Sequence, residues 1–131
     1  MMFGFWSGLL DAGGHNGLLK CDYEQLFRDV LRLAFPGGPP EARADGVQFS
    51  REWVLGIVTV VHALRNRAAH HEPLVGGFPL PGQRDRHGNV TRLSVADGYA
   101  SCMKLARLID RNLATWLAGN SAMPGVLGKR L

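Results

Sequence analysis

The chain has 131 residues, which is enough for one domain with a single core and too few for two. Hydrophobic residues make up 46% and charged residues 20% of it, and no apolar run approaches the roughly 20 residues of a membrane-spanning helix. With 15 basic and 11 acidic residues the formal net charge is +4, a mild bias toward phosphate-rich partners rather than the mark of a dedicated nucleic-acid binder.

The first predicted element is a short helix over "GFWSGLLDA", closed by Gly13 and Gly14. The opening "MMFGFWSGLL" is apolar but has no basic residue ahead of it, so it is a poor signal peptide. Cys21 and Cys102 are far apart and have no metal-ligand spacing. We therefore expect reduced thiols in the core of a cytoplasmic protein, with no membrane association.

A second helix is predicted over "CDYEQLFRDVLRLAF", with Asp22 as its N-cap, because apolar residues recur there at helical spacing. The prolines and glycines of "PGGPP" stop it, and "EARADGVQF" is expected to be a polar connector. A third helix is predicted from the N-cap Ser50 to about His71, before Pro73. Its expected core stripe is Phe49, Trp53, Ile57, Val61, Leu64 and Ala68, widened by Val54 and Val58.

Residues 74–93 are rich in glycine and proline and predict a long ordered loop. The last helix is expected from about Ser94 to Ala118, with Gly119 ending it. Its predicted core stripe is Tyr99, Cys102, Ala106, Ile109, Leu113 and Trp116. The expected fold class is all-α: a single domain built as a small bundle of about four helices, with a long loop before the last helix.

The charged window "RNRAAHHEP" comes directly after an apolar run, at the end of the third helix. At about 100° per residue, His62, Asn66 and His70 share one helix face, which is expected to point away from the core, with Arg65 at its border. Exposed helix faces more often carry Glu, Lys or Gln, so Asn66 and His70 are interpreted as functional, whereas for His62 an ordinary solvated position is favoured. The same projection turns His71 toward the core as a structural histidine.

Other chemistries fit the sequence poorly. His70, His71 and Glu72 are adjacent, so on a helix their side chains diverge and cannot meet on one metal ion. The chain has no phosphate-binding loop with Lys-Ser/Thr and no nucleophile elbow, so we expect neither a metal nor another cofactor. What remains is an imidazole that can act as acid or base and a guanidinium that can stabilise phosphate charge, a pair suited to RNA cleavage by the 2′-hydroxyl.

The run "RNRAAHHEPL" resembles the signature of Abi-like (abortive infection) proteins, a bacterial family placed among the HEPN domains. The resemblance extends in the same order to "FGFWSGLL", "YEQLFRDVLRLAFP" and "LATWL", and so covers most of the chain. Members of that family usually carry a further helical segment before FGFW, whereas this chain starts almost on that motif. A shortened form of the bundle is therefore one expectation.

The resemblance implies a helical-bundle, metal-independent endoribonuclease of toxin–antitoxin or phage-defence systems. The family motif falls on Arg65, Asn66 and His70 as the catalytic set, with His71, Glu72 and Arg67 as supporting neighbours. Two copies of the motif meet across a homodimer in such enzymes, so the implied partners are RNA, a second copy of the chain and an antitoxin protein. A non-catalytic dimerisation domain and a nucleotide- or RNA-binding domain remain open as alternatives, since HEPN folds host all of these.

Two further groups of basic residues have open interpretations. Arg84, Arg86, His87 and Arg92 in the predicted loop could guide RNA or simply be exposed. Lys104, Arg107 and Arg111 form a basic stripe opposite the predicted core of the last helix, and a solvated face explains that stripe equally well.

Overall fold

The structure, a computed structural model, describes residue 10 and residues 23–129. The predicted helix over 4–12, the Asp22 cap and Cys21 lie outside those residues, apart from Leu10. Over the described part the chain forms six helices and one pair of antiparallel strands. In chain order these are α1 Tyr23–Ala34, α2 Gly38–Ala44, α3 Arg51–Ala69, β1 Phe78–Arg84, β2 Val90–Leu93, α4 Val95–Ile109, α5 Arg111–Asn120 and α6 Met123–Leu127.

The strands overturn the all-α expectation, and the fold is mixed α/β. In place of the predicted loop over 74–93, β1 pairs with β2 in antiparallel register, with Phe78 opposite Leu93 and Arg84 opposite Val90. Pro79 and Pro81, which lie within β1, weaken its signal in the sequence because proline cannot donate a ladder hydrogen bond. In a sheet of two strands, each strand has one outer edge that pairs with no other strand. A proline whose nitrogen faces that edge breaks no ladder hydrogen bond.

The helix starts agree best with the sequence. The Ser50 side chain accepts a hydrogen bond from the Trp53 N–H at 3.2 Å, which confirms the predicted N-cap of α3. The start of the next long helix is confirmed as well, because Ser94 and Asp97 form a capping box at the beginning of α4. Helix α1 ends at Ala34, just before the proline-rich segment, as predicted.

Three other predictions about helices were wrong. The polar connector contains part of α2, since prolines at the first turn of a helix need no N–H partner. The last predicted helix is broken at Asp110, whose carboxylate accepts from the N–H groups of Asn112 and Leu113 and so begins a new helix, α5. Gly119 does not end that helix, which continues to Asn120 and is followed by α6.

Two clusters of buried side chains form the core. The first joins the N-terminal half of α3 to α1 and α4, and consists of Leu10, Leu31, Val54, Val58 and Leu108. The second joins the C-terminal half of α3 to the strand pair and consists of Ala63, Phe78 and Leu80, with Val60, Leu64, Leu74 and Leu93 packed around it. Helix α3 therefore contacts the core on two different sides, one for each half.

This arrangement corrects the predicted core stripes. In α3 the most buried side chains are Val54 and Val58, which were expected only to widen the stripe, while Trp53 and Ile57 are half-buried and Ala68 is exposed. In the C-terminal region, the apolar spacing predicted one continuous helix, whereas the structure has a break at Asp110 between α4 and α5. From Ile109, the last residue before that break, onward the predicted core residues are exposed, namely Ile109, Leu113 and Trp116. Among the described residues no helix is both long and apolar enough to cross a membrane.

Candidate functional site

The charged window lies where α3 ends, next to the base of the strand pair. Ala63 is buried with Phe78 and Leu80, and Leu64 packs against the same cluster. The residues of interest begin one position later, at Arg65. A firmly packed helix segment therefore carries the start of the site, while its end is exposed to solvent.

Arg65 and Asn66 interact directly. The exposed Arg65 guanidinium donates a hydrogen bond to Oδ1 of the half-buried Asn66 at 3.2 Å. This bond leaves the other guanidinium N–H groups available to an anion, since an arginine carries five donors. An arginine and an amide side by side form a fixed pair of groups that can both contact phosphate oxygens.

His70 lies one helical turn beyond Asn66. It is the C-cap of α3, and its backbone N–H donates to the Asn66 carbonyl oxygen at 3.1 Å. Its side chain is exposed, whereas His62, one turn before Asn66, is half-buried. The hydrogen bond between His70 and Asn66 is the last i to i−4 bond of α3. Asn66 and His70 therefore keep the one-turn spacing that the sequence predicts.

His71 does not lie where the sequence placed it. The helix ends at Ala69, and His71 has a φ of 53°, which is left-handed backbone. Its N–H donates to the Ala68 carbonyl oxygen at 3.1 Å, and its side chain is exposed rather than turned toward the core. The helical projection failed because it was extended past the residue at which helical geometry stops.

Arg67 and Glu72 close this helix end. Their side chains form an ion pair. The Glu72 N–H also donates to the Arg67 carbonyl oxygen at 3.0 Å. This pairing was not foreseen from the sequence, because the two positions lie on different sides of a continued helix. It neutralises Arg67, so Arg65 is the arginine of the motif without a carboxylate partner among the described residues.

The basic residues of the strand pair have distinct roles. Arg84 donates to the Gly88 carbonyl oxygen at 2.7 Å, which ties the two ends of the turn together. Arg92 donates to the carbonyl oxygens of Gly76 and Gly77, at 3.1 and 2.8 Å, at the other end of the pair. The predicted set of Arg84, Arg86 and Arg92 is therefore spread along the strand pair, with Arg84 and Arg86 at the turn and Arg92 at the base.

The basic stripe predicted on the last helix is largely neutralised. Lys104 forms an ion pair with Asp45 at 2.6 Å, and Arg107 forms one with Glu41 at 2.9 Å. Both contacts join α4 to the region of α2, a helix that the sequence had not predicted. These two residues thus hold elements together, and Arg111 remains exposed beside them.

Cys102 and the possible metal ligands are further candidate sources of chemistry among the described residues. Burial raises the pKa of the Cys102 thiol, so it stays protonated near neutral pH and is a poor nucleophile. Among the residues that the structure describes, no three of His, Cys, Asp or Glu lie together so that they could hold a metal ion.

Comparison of the chain with protein-family models, with curated proteins and with solved structures gave no match.

Proposed function

We propose that the protein is a metal-independent endoribonuclease of the HEPN type, which acts in the cytoplasm as a toxin or phage-defence effector. The proposal starts from the resemblance of "RNRAAHHEPL" to the Abi-like signature. The structural observation that supports it most is the Arg65–Asn66 hydrogen bond, one helical turn from His70 at an exposed helix end. These are the residues that the motif assigns to catalysis.

The proposed reaction uses the RNA's own 2′-hydroxyl as nucleophile. A histidine takes the 2′-hydroxyl proton, the 2′ oxygen attacks the neighbouring phosphorus, and the bond from phosphorus to the 5′ oxygen breaks. A proton returned to that 5′ oxygen completes the step, giving a 2′,3′-cyclic phosphate and a 5′-hydroxyl end. Arg65 stabilises the charge on the phosphate oxygens, and Asn66 orients Arg65 or the phosphate.

The mechanism needs one group that accepts a proton and one that donates it, and the motif supplies one His70 per chain. A homodimer with the ends of two α3 helices near its two-fold axis would supply both, because symmetry pairs the motif with its own copy. Light scattering at tens of micromolar protein, where a typical specific interface is populated, is expected to give the mass of a dimer. A monomer at that concentration counts against this part of the proposal. For the toxin form of this proposal, an antitoxin protein that neutralises the nuclease is a further proposed partner.

The decisive experiment is to incubate the purified protein with total RNA in excess chelator and to identify the ends of the products. Cleavage is expected, with 2′,3′-cyclic phosphate ends. Arg65→Ala should abolish it, whereas Arg43→Ala, which removes an exposed arginine from α2, should leave it unchanged. Activity that disappears in chelator and returns with magnesium would contradict the mechanism. Cleavage by folded Arg65→Ala at the wild-type rate would contradict the assignment of Arg65.

A further inference from the structure

The turn that joins β1 to β2 is exposed but well ordered by its own hydrogen bonds. Residues 81–90 are all exposed. The Asp85 carboxylate accepts from the backbone N–H groups of His87 and Asn89, at 2.8 and 2.9 Å, and from the Asn89 side chain. Arg84 adds its bond to the Gly88 carbonyl oxygen across the same turn. The side chains at this tip are thus presented from a defined backbone.

The tip carries two arginines, Arg84 and Arg86, against the single carboxylate of Asp85, so it keeps an excess of positive charge. Arg86 makes neither a hydrogen bond nor an ion pair within the described residues. The neighbouring Asp85 accepts hydrogen bonds from N–H groups of the turn, which lower the pKa of its carboxyl. It therefore stays ionised and offsets the charge of one arginine, while its oxygens are engaged by the turn and not by Arg86. This situation differs from that of Lys104 and Arg107, which are each paired with a carboxylate.

The strand pair starts beside the candidate site and leads away from it. Its base, Phe78 and Leu80, is buried against Ala63 of α3, two residues before Arg65. Phe78 pairs with Leu93 and Arg84 with Val90, so the tip begins three residues of β2 from that base, about 10 Å at about 3.3 Å per residue. This distance corresponds to about three nucleotides of a helical strand, which rises about 3.4 Å for each phosphate.

We propose that the tip over residues 84–89 binds the phosphate backbone of the RNA substrate, at a phosphate other than the scissile one. The identity of the substrate rests on the proposed function, whereas the contact itself rests on the charge and order of the tip. Arg86 makes the phosphate contact. Arg84 and Arg92 hold the strand pair in shape through their carbonyl contacts. Such a contact is independent of base sequence, so it strengthens RNA binding and lowers KM without changing kcat.

The test measures binding of a labelled single-stranded RNA to His70→Ala protein, so that cleavage does not interfere. Adding Arg86→Ala should weaken the affinity about two- to fivefold at low salt, as for an exposed ion pair. It should also reduce the slope of log affinity against log salt by about 0.7, the share of one phosphate contact. Arg86→Lys should keep the slope, because it keeps the charge. The matched control is Arg32→Ala, which removes an exposed charge from α1 and should leave both quantities unchanged.

An unchanged slope in Arg86→Ala, or an equal effect of Arg32→Ala, overturns the inference. The outcome is separable from that of the proposed function. Cleavage by the otherwise wild-type protein with an unchanged KM in Arg86→Ala means that the nuclease assignment holds and the tip contact is wrong. RNA binding that depends on Arg86 in a protein without cleavage activity supports the tip contact and rejects the nuclease.

Discussion

The guanidinium of Arg67 forms an ion pair with the carboxylate of Glu72, and the Glu72 N–H donates to the Arg67 carbonyl oxygen at 3.0 Å. Between these two residues the helix ends and the chain passes through His70 and His71. The two contacts therefore fix the path of the segment that carries both histidines. Arg67 and Glu72 are best understood as positioning residues for the end of α3.

The ion pair itself is expected to add little to stability. Both side chains are partly exposed, at 39% for Arg67 and 38% for Glu72, and solvent-screened pairs of this kind contribute about 0.2–1 kcal/mol. We expect Arg67→Gln and Glu72→Gln each to lower the free energy of unfolding by less than about 1 kcal/mol. Denaturant unfolding of both single variants and the double variant measures the coupling between the two side chains. A coupling far above this range would show that the pair is shielded from solvent.

The left-handed backbone of His71 gives a second prediction. Its φ of 53° is unfavourable for a residue with a Cβ and costs glycine nothing. Glycine removes the strain of the left-handed backbone but has more conformational freedom in the unfolded chain, which opposes this gain. The net expectation for His71→Gly is a rise in the free energy of unfolding of about 0.5–1 kcal/mol. Ala69→Gly, inside the last turn of α3, is the control and should lower it. A loss of stability in His71→Gly would mean that the histidine side chain has a structural role.

The sequence predicted those parts of the fold that depend on local chemistry. Ser50 and Ser94 were recognised as N-caps because a hydroxyl at the first turn satisfies a nearby N–H regardless of the rest of the chain. The helical period likewise identified α1 and α3. The break at Asp110 was missed because the apolar spacing runs on through it, and an aspartate N-cap resembles an ordinary solvent-facing residue.

The strand pair and the helix end depend on contacts that no local pattern shows. Phe78 and Leu80 are buried because Ala63 of α3 receives them, and prolines between and beside them masked the alternation. At the candidate site, the sequence placed Asn66 and His70 one turn apart on one helix face, with Arg65 at its border, and the backbone keeps the spacing of Asn66 and His70. It could not foresee that the chain turns left-handed at His71, which exposes this residue.

The glycines of the strand pair allow strain to be separated from crowding. Gly77 and Gly82 both have positive φ, at 73° and 76°. A Cβ at Gly77 would lie 2.4 Å from the Leu93 carbonyl oxygen, whereas one at Gly82 would meet nothing within 4 Å. Gly82→Ala should cost about 1–2 kcal/mol from the backbone alone. Gly77→Ala should cost about 1–3 kcal/mol more, because the base of the strand pair must shift. Equal losses in thermal unfolding would show that the backbone at Gly77 moves freely.

The capping box of α4 predicts a dependence of stability on pH. Hydrogen bonds from the Ser94 hydroxyl and then the Ser94 N–H lower the pKa of the Asp97 carboxyl. A lowered pKa in the folded state means that the carboxylate stabilises the fold above about pH 4, where an unfolded aspartate is ionised. That stabilisation is lost as the pH falls through the lower, folded value. Between pH 5 and pH 3 the wild type should therefore lose more stability than Asp97→Asn, in parallel denaturant titrations. Equal losses of stability in the two proteins would show that Asp97 does not take part in the capping box in solution.

The two adjacent histidines give the sharpest test of the candidate site. His70 is one turn beyond Asn66, whereas His71 leaves the helix through left-handed backbone. His70→Ala should reduce RNA cleavage by about 10² to 10⁴, the usual contribution of a general acid or base. His71→Ala should retain most of the activity. Both side chains are exposed, so each variant should change the free energy of unfolding by no more than about 0.5 kcal/mol. The helical projection, which turned His71 toward the core, predicts a larger loss of stability for His71→Ala than its exposed position does. Full cleavage by a folded His70→Ala protein would defeat the assignment, above all if folded His71→Ala were inactive, because His71 would then be the catalytic group.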